Sequence, residues 1–211
     1  MAVVVGRVVS VNVGRPRTIR HRGRARTTAI WKDPVEGRVA ARGVNLDGDG
    51  QADRRVHGGP DKAVYAYACE DYAWWAHRLD RPLPPGTFGE NLTVEGIDLD
   101  AAVVGERWRV GSSELEVCQP RTPCWKLGVR MGDDGFPDLF EEVGRLGAYL
   151  RITGEGDLGA GDDVLLTHRP HHGVTLELVR RAFEDPSLFP AVLAAPELPE
   201  RLRAGMAEAE P

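Results

Sequence analysis

The chain opens on valines, paired and alternating, with Gly6 and Gly14 as punctuation, and Ala2–Val13 predicts a β-strand. Next, arginines recur at every second position: Arg20, Arg22, Arg24 and Arg26. In one continuous strand they would share a face. That strand is expected to run on through Thr27–Trp31 and stop at Asp33-Pro34. Glu36–Asn45 and Ala63–Tyr67 are further strand-like runs. The period then changes, and Cys69–Leu79 predicts an amphipathic helix rich in aromatics, with Tyr72, Trp74 and Trp75. After the Pro-rich loop Arg81–Gly86, Phe88–Val94 enters another strand. Val103–Val110 and Glu114–Val117 predict paired strands joined through Gly111-Ser112. A helical run follows at Trp125–Arg130, a short helix at Phe136–Val143, and strands at Ala148–Thr153 and Asp163–Thr167. Between those two strands Gly154–Gly161 predicts a glycine-rich turn. The composition shifts at Arg169-Pro170-His171-His172, and Thr175–Phe183, Ser187–Leu193 and Pro199–Met206 predict three short helices separated by prolines.

Many short apolar runs, with 25 glycines and 15 prolines, favour a mainly β fold with added helices. A length of 211 residues allows a full hydrophobic core without disulfide or metal staples. The net charge of -5 argues against general nucleic-acid affinity, though it leaves room for a local basic patch. Three cysteines, Cys69, Cys118 and Cys124, are few and odd in number, which suits a reducing compartment; a Cys118–Cys124 disulfide stays open. The apolar start, Met1–Val5, is cut by Arg7 and lacks a positive n-region, so no signal peptide is expected. No run approaches the ~20 apolar residues needed to cross a bilayer. A cytoplasmic protein without membrane contact is expected.

The stretch with the strongest chemical signal is Cys118–Leu127. Pro120 and Pro123 stiffen the backbone around Arg121, so Gln119–Cys124 should be a non-helical loop. Cys124 then falls at a helix N-terminus, where the helix dipole and nearby positive charge favour thiolate. A thiolate so placed is a nucleophile or a soft-metal ligand; the competing reading is a buried structural cysteine. His57-Gly58-Gly59-Pro60-Asp61-Lys62 crowds three polar side chains at the mouth of a strand. It reads either as a site or as a histidine capping a turn. Asn91 presents its amide to a ligand or closes an Asx-turn. Asp47-Gly48-Asp49-Gly50 begins like a calcium loop, but Ala52 and Gly58 stand where glycine and a bidentate glutamate are required, so it is taken as a turn-rich loop. The alternating arginines are a solvated edge or an anion-facing surface. Cys69 is expected in the core, and His168, His171 and His172 in a linker, since no zinc spacing is present.

Three segments in order, His57–Tyr65, Phe88–Thr93 and Gln119–Leu127, resemble the MOSC domain, named after the C-terminal part of molybdenum cofactor sulfurases. The resemblance spans about residues 1–170 and implies a MOSC-type β-barrel; residues 171–211 resemble the small three-helix domain of the bacterial YiiM-like subgroup. It implies a molybdenum pterin cofactor, with Cys124 as the molybdenum ligand and catalytic residue. His57, Asp61, Lys62, Asn91 and Arg121 would line the cofactor cleft by motif position. It further implies reduction of N-hydroxylated compounds, such as hydroxylaminopurine-like bases and amidoximes. Electrons would come from a separate flavin or iron–sulfur reductase, since the chain carries no such motif of its own. The rival reading is a sulfur carrier holding a persulfide on Cys124.

Overall fold

The computed structural model describes residues 2–52 and 58–208. Strand β1 (Val3–Val13) leads into a ribbon, β2 (Arg17–His21) and β3 (Arg24–Thr28), and then into short strands β4 (Asp33–Pro34), β5 (Arg38–Arg42) and β6 (Asn45–Leu46). A 3-10 turn at Pro60–Lys62 precedes β7 (Val64–Ala68) and helix α1 (Cys69–Leu79). Strands β8 (Leu92–Glu95), β9 (Arg107–Val110) and β10 (Ser113–Pro120) follow, then α2 (Trp125–Met131) and α3 (Phe136–Val143). Strands β11 (Ala148–Gly154), β12 (Gly156–Gly159) and β13 (Asp163–His168) precede helices α4 (Leu176–Glu184), α5 (Phe189–Val192) and α6 (Glu200–Glu208).

Seven strands close into a barrel in the order β13-β9-β10-β11-β7-β8-β1, with β1 pairing back to β13. Closure removes the open strand edges that invite aggregation. Every pairing in the ring is antiparallel except β7–β8. A parallel pair needs a crossover connection, and α1 with the Pro-rich loop supplies it. β1 serves three partners by slipping register, once between Val4 and Gly6 against β13 and once between Val8 and Ser10 against β8. The second slip lets Val8 and Val11, three residues apart, both reach the core.

The interior is packed with side chains, Trp108, Leu92, Leu115, Val117 and Leu150 among them. Helices α4, α5 and α6 contribute Leu176, Val179, Val192 and Met206 to the same continuous cluster. β7 is buried at all five positions. Alternation sends Val64, Ala66 and Ala68 into the barrel, while Tyr65 and Tyr67 join a second, aromatic core. That second core holds Tyr72 and Trp75 of α1, Phe88, Leu127 of α2, and Phe136 and Phe140 of α3.

Several sequence expectations change. The arginine run is a hairpin, with Arg22 (φ 46°) and Gly23 (φ 76°) at its turn. Register pairs His21 with Arg24, Ile19 with Arg26 and Arg20 with Ala25. Arg24 and Arg26 therefore share a face with His21, and Arg20 points the other way, because a turn between alternating positions reverses the count. The expected glycine turn contains β12, which pairs with β5; absent side chains let Gly156 lie against the Ser112 backbone, where a Cβ would come within 2.5 Å. The strand expected from Val103 begins only at Arg107, and β10 runs through Pro120, leaving Arg121–Cys124 as the irregular loop. The cysteines are free, so no Cys118–Cys124 disulfide forms. Cys69 heads α1 half-buried rather than inside either core. No helix among the described residues is long and apolar enough to cross a membrane.

Phe140 touches the rings of Tyr67, Trp75, Phe88 and Phe136 at centroid distances of 5.3–6.0 Å. Phe140→Ala should lower unfolding free energy by about 3–5 kcal/mol, read as a shifted urea midpoint with unchanged slope. A cost under about 1 kcal/mol would mean that this core is not close-packed.

Candidate functional site

The cavity lies on the outer face of β7 and β11, where Tyr65 and Tyr149 form its floor. Its walls come from residues far apart in sequence: Thr28–Ile30 and Lys32, Asp49–Ala52, Lys62, Asn91, and the loop Arg121, Thr122, Cys124 and Lys126. Lys32, Lys62, Arg121 and Lys126 are cationic, and Asp49 is the single carboxylate among the described lining residues. An excess of three positive charges thus surrounds this space in a chain whose net charge is -5. A low-dielectric wall strengthens such a field.

Asp49 is the hub that holds the walls together. One carboxylate oxygen accepts from the Gly14 amide at 2.8 Å, the other from the Asn91 Nδ2 at 2.9 Å, and both accept from the Lys32 ammonium at 2.5 Å. Both partners of this ion pair are buried, and burial pushes the Lys32 ammonium below its ordinary range, against the pull of Asp49. Asn91 spends its whole amide on the frame: Oδ1 accepts from the Tyr65 amide at 3.1 Å, and Nδ2 also reaches the Asn12 carbonyl at 3.2 Å. It is neither an Asx-turn nor a free ligand donor but a tie between β7, β1 and the Asp49 loop. The segment leading to Lys32 fits because its neighbours lack side chains. A Cβ on Gly14 would lie 2.0 Å from the Trp31 carbonyl oxygen, and one on Gly86 would lie 2.3 Å from that of Lys32.

Arg121 is 3% exposed, yet no carboxylate pairs with it among the described residues. Its guanidinium donates to the Phe88 carbonyl and lies over the rings of Tyr65 and Phe140, at 4.8 and 5.8 Å. Guanidinium stays charged even when buried. Among the described residues its partners are a carbonyl, the Tyr65 side chain and π faces, which leave its charge unpaired by a carboxylate, and an anionic ligand would neutralise it.

Cys124 caps α2 in extended conformation (φ -151°, ψ 171°), and its carbonyl accepts from the Leu127 amide at 2.8 Å. Its thiol is half-buried on the cavity wall. Cys118 differs: it is fully buried, receives Arg151 Nε at 3.0 Å, and burial pushes its thiol up to about 12. Lys62 extends over the Tyr149 ring at 5.7 Å. Burial lowers its pKa, Arg201 of α6 pushes the same way, and Cys124 and Asp61 oppose.

Of the residues expected at the site, Lys62, Asn91, Arg121 and Cys124 are brought to one cavity. Asp61 turns instead to Arg151, at 3.0 Å, and is not part of the lining. His57 lies outside the described residues. Sequence reading missed Lys32, Asp49, Tyr65, Lys126 and Tyr149. Of these, Tyr65 and Lys126 lie within the segments that carry the family resemblance, and Asp49 within the failed calcium loop, whereas nothing local marks Lys32 or Tyr149.

Beneath the cavity a buried polar chain runs from Ser10 through Asn12, Thr93 and Glu90 to Tyr72. Glu90 Oε1 accepts from Tyr72, the Gly86 amide and Thr93, while Oε2 finds no partner among the described residues.

The fold and the site together describe a closed β-barrel domain with a cationic cavity that carries a thiol on its wall. The MOSC domain family model matches residues 53–165, and the chain belongs to that family. It is 37% identical to the uncharacterized protein YflK of Bacillus subtilis (strain 168), covering 82% of this chain and 79% of that one. It is 31% identical to a protein named Reductase from Gibberella moniliformis (strain M3125 / FGSC 7600) over 69% of this chain, though that match spans only 26% of the reductase. The crystal structure of YiiM from Geobacillus stearothermophilus is similar at a TM-score of 0.79 and 28% identity, over 96% of this chain and 98% of that one.

Burial raises the Glu90 pKa above its ordinary 4.5, outweighing the hydrogen bonds from Tyr72, Gly86 and Thr93. The folded protein then holds this proton more tightly than the unfolded chain, so Glu90 contributes stability that is full below pH 4.5 and is lost as pH rises through its folded value. Glu90→Gln should flatten the fall of unfolding free energy as pH rises above 4.5, and that range is the window to compare. An unchanged slope across that window would show that Glu90 titrates normally.

Proposed function

We propose that this protein is a molybdenum-cofactor-dependent oxidoreductase that reduces N-hydroxylated compounds, hydroxylaminopurine-like bases and amidoximes among them. The observation that carries the reading is the pairing, in one cavity, of the Cys124 thiol with the buried Arg121, which has no carboxylate partner among the described residues. A pterin dithiolene with its phosphate is anionic and binds a soft metal, and the donor set fits both properties: a thiolate for molybdenum and four cations for the anionic groups. When bound, the cofactor would supply the two-electron chemistry by which N–OH becomes N–H with release of water.

The chain's own residues supply position and charge. Cys124 would ligate the metal, held at the end of α2 by a backbone hydrogen bond. Arg121, Lys32 and Lys126 would neutralise the anionic ligand, and Asp49 with Asn91 would fix the wall that carries Lys32. Tyr65 and Tyr149 would present an apolar floor. Lys62, its ammonium already weakened by burial, would donate a proton to the departing oxygen. A protein named Reductase among the relatives agrees with redox chemistry. Two electrons must arrive from a separate flavin or iron–sulfur protein, and we place the reaction in the cytoplasm on the strength of the few, odd-numbered cysteines.

Molybdenum content of freshly purified protein, with fluorescence of the oxidised pterin, tests this reading. Stoichiometric metal is expected in the parent and in Cys118→Ala. Cys124→Ala should lose it while keeping the far-UV circular dichroism of the parent, which shows that the variant is folded. Loss in Cys118→Ala would assign the ligand to the wrong thiol. A persulfide on Cys124 in metal-free protein would replace the reductase with a sulfur carrier.

A further inference from the structure

The β2–β3 ribbon is bonded to no other strand among the described residues. Both its faces are open to solvent along most of its length. A two-stranded hairpin is marginally stable alone, and this one rests on the body through few contacts. His21 stacks on Trp125 at 4.6 Å, and Arg22 reaches Asp134 at 3.4 Å across an exposed pair. Six arginines and no acid lie between Arg15 and Trp31. Arg20, Arg24 and Arg26 are exposed and have no carboxylate partner among the described residues. Arg22, Arg24 and Arg26 with His21 and Trp125 line an open groove.

The ribbon is also tied to the cavity at both ends. Its root runs directly into the lining residues Thr28–Ile30, and its resting point, Trp125, follows Cys124 in sequence. An acidic protein has thus concentrated unpaired positive charge at the rim of its own cavity.

We infer that the Arg24–Arg26 face of this ribbon is the docking surface for an acidic electron-donor protein. This rests on the reductase reading, in which two electrons from the donor's reduced flavin or iron–sulfur centre, with two protons from solvent, convert R–NHOH into R–NH2 and water. The donor must bring its redox centre to the cavity mouth, and charge complementarity at the rim speeds and orients such encounters. Nucleic acid is disfavoured because the chain as a whole is acidic and the basic groove sits at a small-molecule cavity.

The test uses the full, cofactor-loaded chain with an acidic flavodoxin as donor and dithionite-reduced methyl viologen as protein-free control. Arg24→Glu/Arg26→Glu should weaken flavodoxin binding about tenfold at low salt, and lower flavodoxin-driven kcat/KM to match. Viologen-driven turnover should be unchanged. Arg20→Glu, on the opposite face, should change the affinity less than about threefold. Parental flavodoxin affinity should fall steeply with salt. Unaltered flavodoxin binding in the double variant, or an equal effect of Arg20→Glu, would overturn the docking assignment while viologen turnover leaves the reductase reading standing. No viologen turnover in the parent would remove the reductase reading and this inference with it. Tighter binding of single-stranded DNA than of flavodoxin, lost in the double variant, would reassign the ribbon to nucleic acid.

Discussion

β7 has no solvent face, and the rest of the architecture follows from what must cover its two sides. Its even and odd positions feed separate cores, one inside the barrel and one aromatic outside it. Two-sided burial is ordinary for parallel sheets, where helices cover the faces. Here one parallel step in an otherwise antiparallel ring brings α1 across the outer face, and α3 completes the cover. The cavity occupies the part of that face which the helices leave open. Its floor is therefore a pair of adjacent barrel strands, β7 and β11, and its rigidity is that of the core.

Charge follows a different logic. Four cations converge on a space with one described carboxylate, and that carboxylate is consumed by Lys32, Gly14 and Asn91. A buried ion pair gains little net stability over apolar packing. What Lys32–Asp49 does is fix three separate chain segments against one another. Asn91 acts the same way, and its value lies in which groups it satisfies rather than in reaching a ligand. Two thiols six residues apart have opposite fates for a similar reason: alternation along β10 sends Val117 into the barrel and leaves Cys118 on the other face, buried against Arg151, while the loop after Pro120 releases Cys124 to the cavity.

Much of this was legible without coordinates. α1 and α3 have the bounds their periodicity predicts, and the β9–β10 hairpin falls at Gly111-Ser112. The irregular loop Arg121–Cys124 and its cysteine were visible because prolines and helix starts are local signals. Illegible features were those set by partners distant in sequence. Nothing near Lys32 or Asp49 announces that they meet. The Arg20–Arg26 alternation misled because Arg22-Gly23 reads as strand until the register with Thr28 is known. Gly156–Gly159 has turn composition, and only β5 alongside makes it a strand. Asp61 sits in a site-like motif, yet Arg151 from β11 takes it.

The seam between β1 and β13 has a temporal side. Val3 finds its partner in Leu166, so β1 must wait for β13, the last strand of the ring in chain order, before the ring can shut. Until then the flank of β1 that faces β13 stays unpaired, and Val3, Val4 and Val9 face water even in the finished barrel. Contacts this distant in sequence slow folding and prolong exposure of sticky intermediates. The cavity draws on residues from Thr28 to Tyr149 and so comes into being only at the close of that process. A nascent chain therefore holds only a fragment of the cavity, whose walls and floor meet late in the life of the molecule.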